Sequence, residues 1–157
     1  MRVISGYLKG KNILLPSDKK TRPLKDMVRE SIFNIIEHAK SFNCNIENSK
    51  VLDLFSGTGS FGIECISRGA SKVIFNENYS LALEILKKNI YNLKCRDKCE
   101  INTHDCFNVG QLKNMHDKQF NIIFMDPPFA ERQIYNLLEN IKKLDILKKN
   151  GVIVLHR

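Results

Sequence analysis

From Lys50 onward, short apolar runs alternate with longer stretches whose apolar residues recur at helical spacing. The runs predict strands at 51–54, 72–76, 99–102, 121–125 and 151–155. The stretches between them predict helices at 60–68, 80–92, 107–115 and 131–147. Ser80 is placed to cap the second of these helices, with Glu84, Lys87 and Lys88 on its wet face. Short apolar strands separated by helices describe a parallel sheet covered on both faces. Ligands of such sheets bind at the carboxyl ends of the strands, so the residues directly after each strand are the candidates for chemistry.

Ahead of this core, residues 3–7 and 12–15 flank Gly6 and Gly10 and predict a hairpin, with a loop over 16–21. Val28, Ile32, Ile35, Ile36 and Ala39 then recur at helical spacing, and Thr21 and Pro23 stand where a helix starts. The polar, asparagine-rich stretch 41–49 reads as a linker. The expected organisation is one domain over 1–157, with a hairpin-helix extension over 1–40 and a ligand-binding core over 50–157.

Composition agrees with a packed chain. Apolar residues make up 43% and charged residues 27% of the 157. A chain of this length buries roughly 70% of its unfolded surface and needs no disulfide or metal to fold. No apolar run approaches the roughly 18 residues of a membrane span, and the first ten residues lack the apolar stretch of a secretory signal. The five cysteines (Cys44, Cys65, Cys95, Cys99 and Cys106) are odd in number and lack a framework spacing. Only His104 lies near Cys95 and Cys99, so no metal site is expected, and reduced thiols in a cytoplasmic protein are the better reading.

Charge adds a partner. The net charge is +8, from 25 basic and 17 acidic residues. Residues 1–25 hold Arg2, Lys9, Lys11, Lys19, Lys20, Arg22 and Lys25 against Asp18 alone, which is seven basic groups to one acid and +6 of the total. A basic segment on a nearly neutral body suits a nucleic acid, because each neutralised phosphate releases a counterion.

The strand ends carry the chemistry. After the first strand come Asp53, Phe55, Ser56, Gly57, Thr58, Gly59 and Gly62, and Glu77 ends the second strand twenty residues past Gly57. Glycines at this spacing, followed by a ribose-binding acid, suit a nicotinamide dinucleotide as well as S-adenosylmethionine. Asp53 favours the second, since a carboxylate repels a pyrophosphate and holds an ammonium. After the third strand, Asp105 and the adjoining Cys106 are candidates to meet an adenine; Asp105 also suits the cap of the next helix. After the fourth strand stand Asp126, Pro127, Pro128 and Phe129. The prolines stiffen the turn. The Pro127 carbonyl and the Asp126 carboxylate form a pair of acceptors for an exocyclic amine, and Phe129 offers a face for an unstacked base.

With these residues in place the chain resembles the RsmD family of small-subunit ribosomal RNA methyltransferases. The resemblance runs through Arg2-Val3-Ile4-Ser5-Gly6 to Gly10-Lys11, then Thr21-Arg22-Pro23 with Asp26, Val28, Arg29, Glu30, Phe33 and Asn34. It continues through Val51 to Gly59 and through Asp126-Pro127-Pro128-Phe129. The resemblance implies a class I, Rossmann-like methyltransferase fold. It also implies transfer from S-adenosyl-L-methionine to the exocyclic N2 amine of a guanine in 16S ribosomal RNA, an activity of the guanine(966)-N2 kind. Carried onto this chain, it implies that Asp53, Ser56, Gly57, Thr58 and Gly59 hold the donor's methionine part. Glu77 would take the ribose hydroxyls, and Asp105 with Cys106 the adenine. Asp126 and Pro127 would grip the target amine, with Pro128 completing the turn and Phe129 stacking on the base. Lys9, Lys11, Arg22 and Arg29 would meet RNA, as ribosomal RNA or within the small subunit.

The chain departs from the family at Tyr79, where a polar or acidic residue usually follows the ribose acid by two. It also stops after the fifth strand, so the closing strand pair of this fold is expected to be missing and one sheet edge open. The rival readings are a DNA adenine methyltransferase, a nicotinamide oxidoreductase and an inactive RNA-binding relic of the same family.

Overall fold

The computed structural model describes residues 1–18, 24–38, 44–114 and 119–156. Its centre is a five-stranded, all-parallel sheet in the order β3-β2-β1-β4-β5, built from β1 (Lys50–Leu54), β2 (Lys72–Asn76), β3 (Cys99–Asn102), β4 (Phe120–Met125) and β5 (Leu147–Leu155). The helices are α1 (Asp26–His38), α2 (Ser60–Ser67), α3 (Ser80–Asn92), α4 (Val109–Lys113) and α5 (Ile134–Lys143). None of the described helices is long and apolar enough to cross a membrane.

Alternation along the strands feeds two cores. Val51, Val73, Phe75, Ile122 and Phe124 face α1, α2 and α3. Leu52, Leu54, Ile74, Ile123 and Met125 face α4 and α5. On the first face Phe61 stacks on Phe124 with centroids 3.9 Å apart and on Phe33 at 5.0 Å, tying α2 to β4 and α1.

Residues 1–15 join that first core. Val3, Leu8 and Ile13 are buried in it. The expected hairpin is reduced to one antiparallel bridge, Arg2 to Asn12, and α2 and α3 take the amides of Ile4, Ser5, Tyr7, Leu8 and Leu14. The buried Glu64 carboxylate accepts from the amides of Ile4 at 2.8 Å and Ser5 at 2.9 Å, and the Ser67 hydroxyl accepts from the Leu8 amide at 2.9 Å.

Several element boundaries differ from expectation for local reasons. In α1 the buried face is Arg29, Phe33 and Ile36, while Ile35 is exposed; the aromatic stack claims Phe33 and turns the helix. Ser80 does not cap α3. Tyr79 stands at that position, and Glu77 Oε1 accepts from the Tyr79 amide at 2.8 Å. Asn108 caps α4, accepting from the amides of Gly110 and Gln111, so the helix starts two residues later than predicted. Asp145, with φ +48°, breaks the chain direction after α5 and lets β5 begin at Leu147.

Candidate active site

Register brings the strand ends together. Leu54 pairs with Asn76 and with Met125, and Met125 pairs with Leu155. The residues next in line after these strands therefore share one level at the carboxyl edge. They open into a cleft of about 550 Å³, the size range of small-molecule sites. Of the predicted residues, Asp53, Ser56, Gly57, Thr58, Glu77 and the run Asp126 to Phe129 line it.

Asp53 has the same strand parity as Val51, so its side chain lies under α2 and not in solvent. It is 1% exposed. Its Oδ2 accepts from the Gly62 amide at 3.0 Å, whereas Oδ1 is buried and has no hydrogen-bond partner among the described residues. Burial pushes this carboxyl well above the usual carboxylate range; the Gly62 amide opposes the shift, and the neighbouring charges of Asp126 and Glu77 add to it. Gly62 permits the contact, since a Cβ there would lie 2.3 Å from Phe75.

The two glycine amides of the loop are already spent. Gly57 N–H donates to Glu77 Oε2 at 2.7 Å and Gly59 N–H to the Ser56 carbonyl at 2.8 Å. The Ser56 hydroxyl donates to the Asp53 carbonyl at 2.6 Å. Gly59, at φ +84°, abuts Leu86, and a Cβ on it would lie 2.4 Å from that side chain. Phe55 holds the left-handed conformation at φ +62°, where only the surrounding structure keeps a bulky residue. On the side of this loop the cleft offers the carboxyl groups of Asp53 and Glu77, while Asp126 stands apart at the end of β4. That donor set fits a group carrying an ammonium and a sulfonium and does not fit a pyrophosphate.

Asp126 is half-buried at the end of β4, and Pro127 behind it is buried. Phe129 is 74% exposed at the mouth, free to receive a flat ring. His156, at the end of β5, joins this corner: its Nδ1 lies 2.9 Å from Asp126 Oδ1. The sequence reading missed His156 because only the β4–β5 register reveals its neighbour.

Other predicted residues fall elsewhere. Asp105 is exposed and outside the cleft lining; its Oδ1 accepts from the Phe107 amide at 3.0 Å, an Asx turn leading into α4. Cys106 is buried in the second core, and its thiol is pushed up to about 12 by burial. Arg29 does not reach RNA as expected. It is fully buried, bonded to Asp26 at 3.0 Å and to the Arg2 carbonyl, and so anchors the N-terminal segment. Lys9 and Lys11 are exposed, away from the cleft. Arg22 lies outside the described residues, as do Thr21 and Pro23.

Three further residues had been given no place in the site. Lys25 is exposed at the cleft rim. Tyr79 lines it and donates its hydroxyl to Asp18 Oδ2 at 2.6 Å. Asn89, buried in α3, accepts from the Leu14 amide at 2.8 Å and donates to the carbonyls of Leu14 and Thr58 at 3.1 and 3.0 Å, binding the N-terminal segment to the loop after β1.

Comparison with known proteins gives the family. The family model described as "Conserved hypothetical protein 95" matches residues 1–157. The chain belongs to the RsmD family. Among curated members, Ribosomal RNA small subunit methyltransferase D of Buchnera aphidicola subsp. Acyrthosiphon pisum is 35% identical over 163 residues, covering 99% of this chain and 76% of that one. YlbH of Bacillus subtilis strain 168 is 34% identical over 154 residues, covering 98% and 80%. The solved Escherichia coli structure of yhhF superposes with a TM-score of 0.82 at 25% identity, over 99% of this chain and 79% of that one. The fold common to the RsmD family and to this chain is the Rossmann-like, class I methyltransferase sheet.

Proposed function

We propose that the protein transfers a methyl group from S-adenosyl-L-methionine to the exocyclic N2 amine of a guanine in 16S ribosomal RNA. The observation that carries this is the buried, partnerless Asp53 Oδ1 in the same cleft as Asp126, Pro127 and Phe129. Kinship with ribosomal RNA methyltransferases supports the substrate class. The whole described chain then acts as one cytoplasmic methyltransferase domain.

Bound at this cleft, S-adenosyl-L-methionine supplies an electrophilic methyl group on a sulfonium. Asp53 would hold its cationic end and Glu77 its ribose hydroxyls; Ser56, Gly57 and Thr58 shape the wall between them. Gly59, Asp105 and Cys106, outside the lining, are omitted from this set. Phe129 would stack on a flipped guanine, and Asp126 with the Pro127 carbonyl would accept hydrogen bonds from its amine. That amine is a poor nucleophile, because its lone pair is delocalised into the ring. The acceptors favour its pyramidal form as positive charge develops on nitrogen. Asp126 need not be a strong base, since the proton leaves after transfer. Orientation of the two reactants supplies up to roughly 7–11 kcal/mol in well-aligned cases. Lys9, Lys11 and Lys25 would meet RNA phosphate.

The test is transfer of tritiated methyl groups to 16S ribosomal RNA and to small subunits from cells lacking this gene, followed by nucleoside chromatography. Label in N2-methylguanosine is the expected result. No label, or label in N6-methyladenine of duplex DNA, overturns the proposal.

A further inference from the structure

We propose that His156 is the positioning residue of the amine-gripping corner, an inference that rests on the methyl-transfer reading above. Its placement follows from the sheet. Met125 pairs with Leu155, and the His156 amide donates to the Met125 carbonyl at 2.9 Å, so the imidazole is fixed beside the first residue after β4. There Nδ1 lies 2.9 Å from Asp126 Oδ1, and both side chains line the cleft.

An ionised carboxylate only accepts hydrogen bonds, so the proton of this contact sits on Nδ1. Donation to Oδ1 fixes the Asp126 rotamer and leaves Oδ2 as the oxygen for the target amine. Without it, a carboxylate with about a quarter of its side chain exposed is free to turn toward solvent or toward Lys25 at the rim. In that tautomer Nε2 is an acceptor, so the corner remains a cluster of acceptors facing an amine. A misplacement of about 1 Å in such a site costs on the order of a hundredfold in rate.

The test compares H156A, H156N and H156Q in single-turnover transfer at saturating donor and RNA, with S-adenosylhomocysteine affinity measured in parallel by calorimetry. Asparagine places its amide where Nδ1 stands; glutamine places it where Nε2 stands. We expect H156A to lose roughly 10- to 100-fold in rate, with donor affinity within about twofold of wild type. H156N should recover most of that loss and H156Q should not. Nitrogen-15 NMR of the wild-type imidazole should show the Nδ1–H tautomer, giving way to Nε2–H in D126A. A wild-type rate in H156A, equal rescue by glutamine, or an Nε2–H tautomer in the wild type overturns the inference while the parent reading stands. A wild-type protein that transfers no methyl group overturns the parent reading itself, a distinct outcome seen before any variant is compared.

Discussion

Asp53, which lines the cleft, gives one oxygen to the Gly62 amide at 3.0 Å and leaves the other buried with no partner among the described residues. A buried carboxyl with half its acceptors idle costs stability and gains a use only when a cation arrives. Its folded-state pKa lies above the ordinary value because of burial, so the folded state holds the proton more tightly. The penalty is absent below the ordinary carboxyl pKa and grows as pH rises toward the folded value. D53N keeps the oxygen that Gly62 uses and removes the charge. Its melting temperature should exceed wild type at pH 7 by about 2–4 °C, the shift produced by ~1 kcal/mol in a chain of this size. At pH 3 the difference should vanish. Donor affinity should fall at least roughly tenfold, since a charge-assisted hydrogen bond contributes about 1.5–3 kcal/mol.

Asn89 joins two segments far apart in sequence. N89A strips partners from the Leu14 amide and from the carbonyls of Leu14 and Thr58. It should cost about 1–3 kcal/mol. Urea unfolding should show this as a lower midpoint with an unchanged slope, and donor binding should weaken because Thr58 lines the cleft.

Gly62 sets two effects against each other. Alanine is better than glycine in a helix by roughly 0.8–1 kcal/mol. A Cβ here, however, would lie 2.3 Å from Phe75 Cε1 and 2.8 Å from Val73 Cγ1, both in the packed core. Overpacking of that kind costs about 1–3 kcal/mol, so G62A should be destabilised on balance in chemical denaturation.

Much of this was legible in the chain. The runs at 72–76 and 99–102 became β2 and β3 with the predicted limits: β2 carries the buried apolar run Val73–Phe75 of an inner parallel strand, and β3 is a half-buried edge strand. The loop after β1 and the corner after β4 were legible because glycine and proline constrain the backbone directly. What stayed hidden depends on tertiary partners. Arg29 looks like a surface cation until Asp26 and the Arg2 carbonyl close around it. Asp105 follows a strand as a ligand-binding acid would, yet spends its Oδ1 on the Phe107 amide. Asn89 sits among the polar residues of α3, and His156 near the chain end; neither carries a local pattern that marks it.

The basic N-terminal region makes an electrostatic prediction. If Lys9 and Lys11 meet phosphate, the double alanine variant should flatten the dependence of log affinity on log salt by roughly 0.7–0.9 per lost contact. K25A, at the cleft rim, should flatten it by about one contact and also slow transfer. Filter binding across a salt series measures both, and unchanged slopes would exclude these lysines as the RNA contact.

In the proposed function one cleft holds the methyl donor at Asp53 and, separately, grips the amine at Asp126. Single-turnover transfer by donor-saturated D126A tests it most directly, with S-adenosylhomocysteine binding measured on the same sample. Transfer should fall below detection while donor affinity stays within about twofold of wild type, as expected for an interaction made only in the transition state. Transfer at the wild-type rate, or donor binding lost together with turnover, would contradict it.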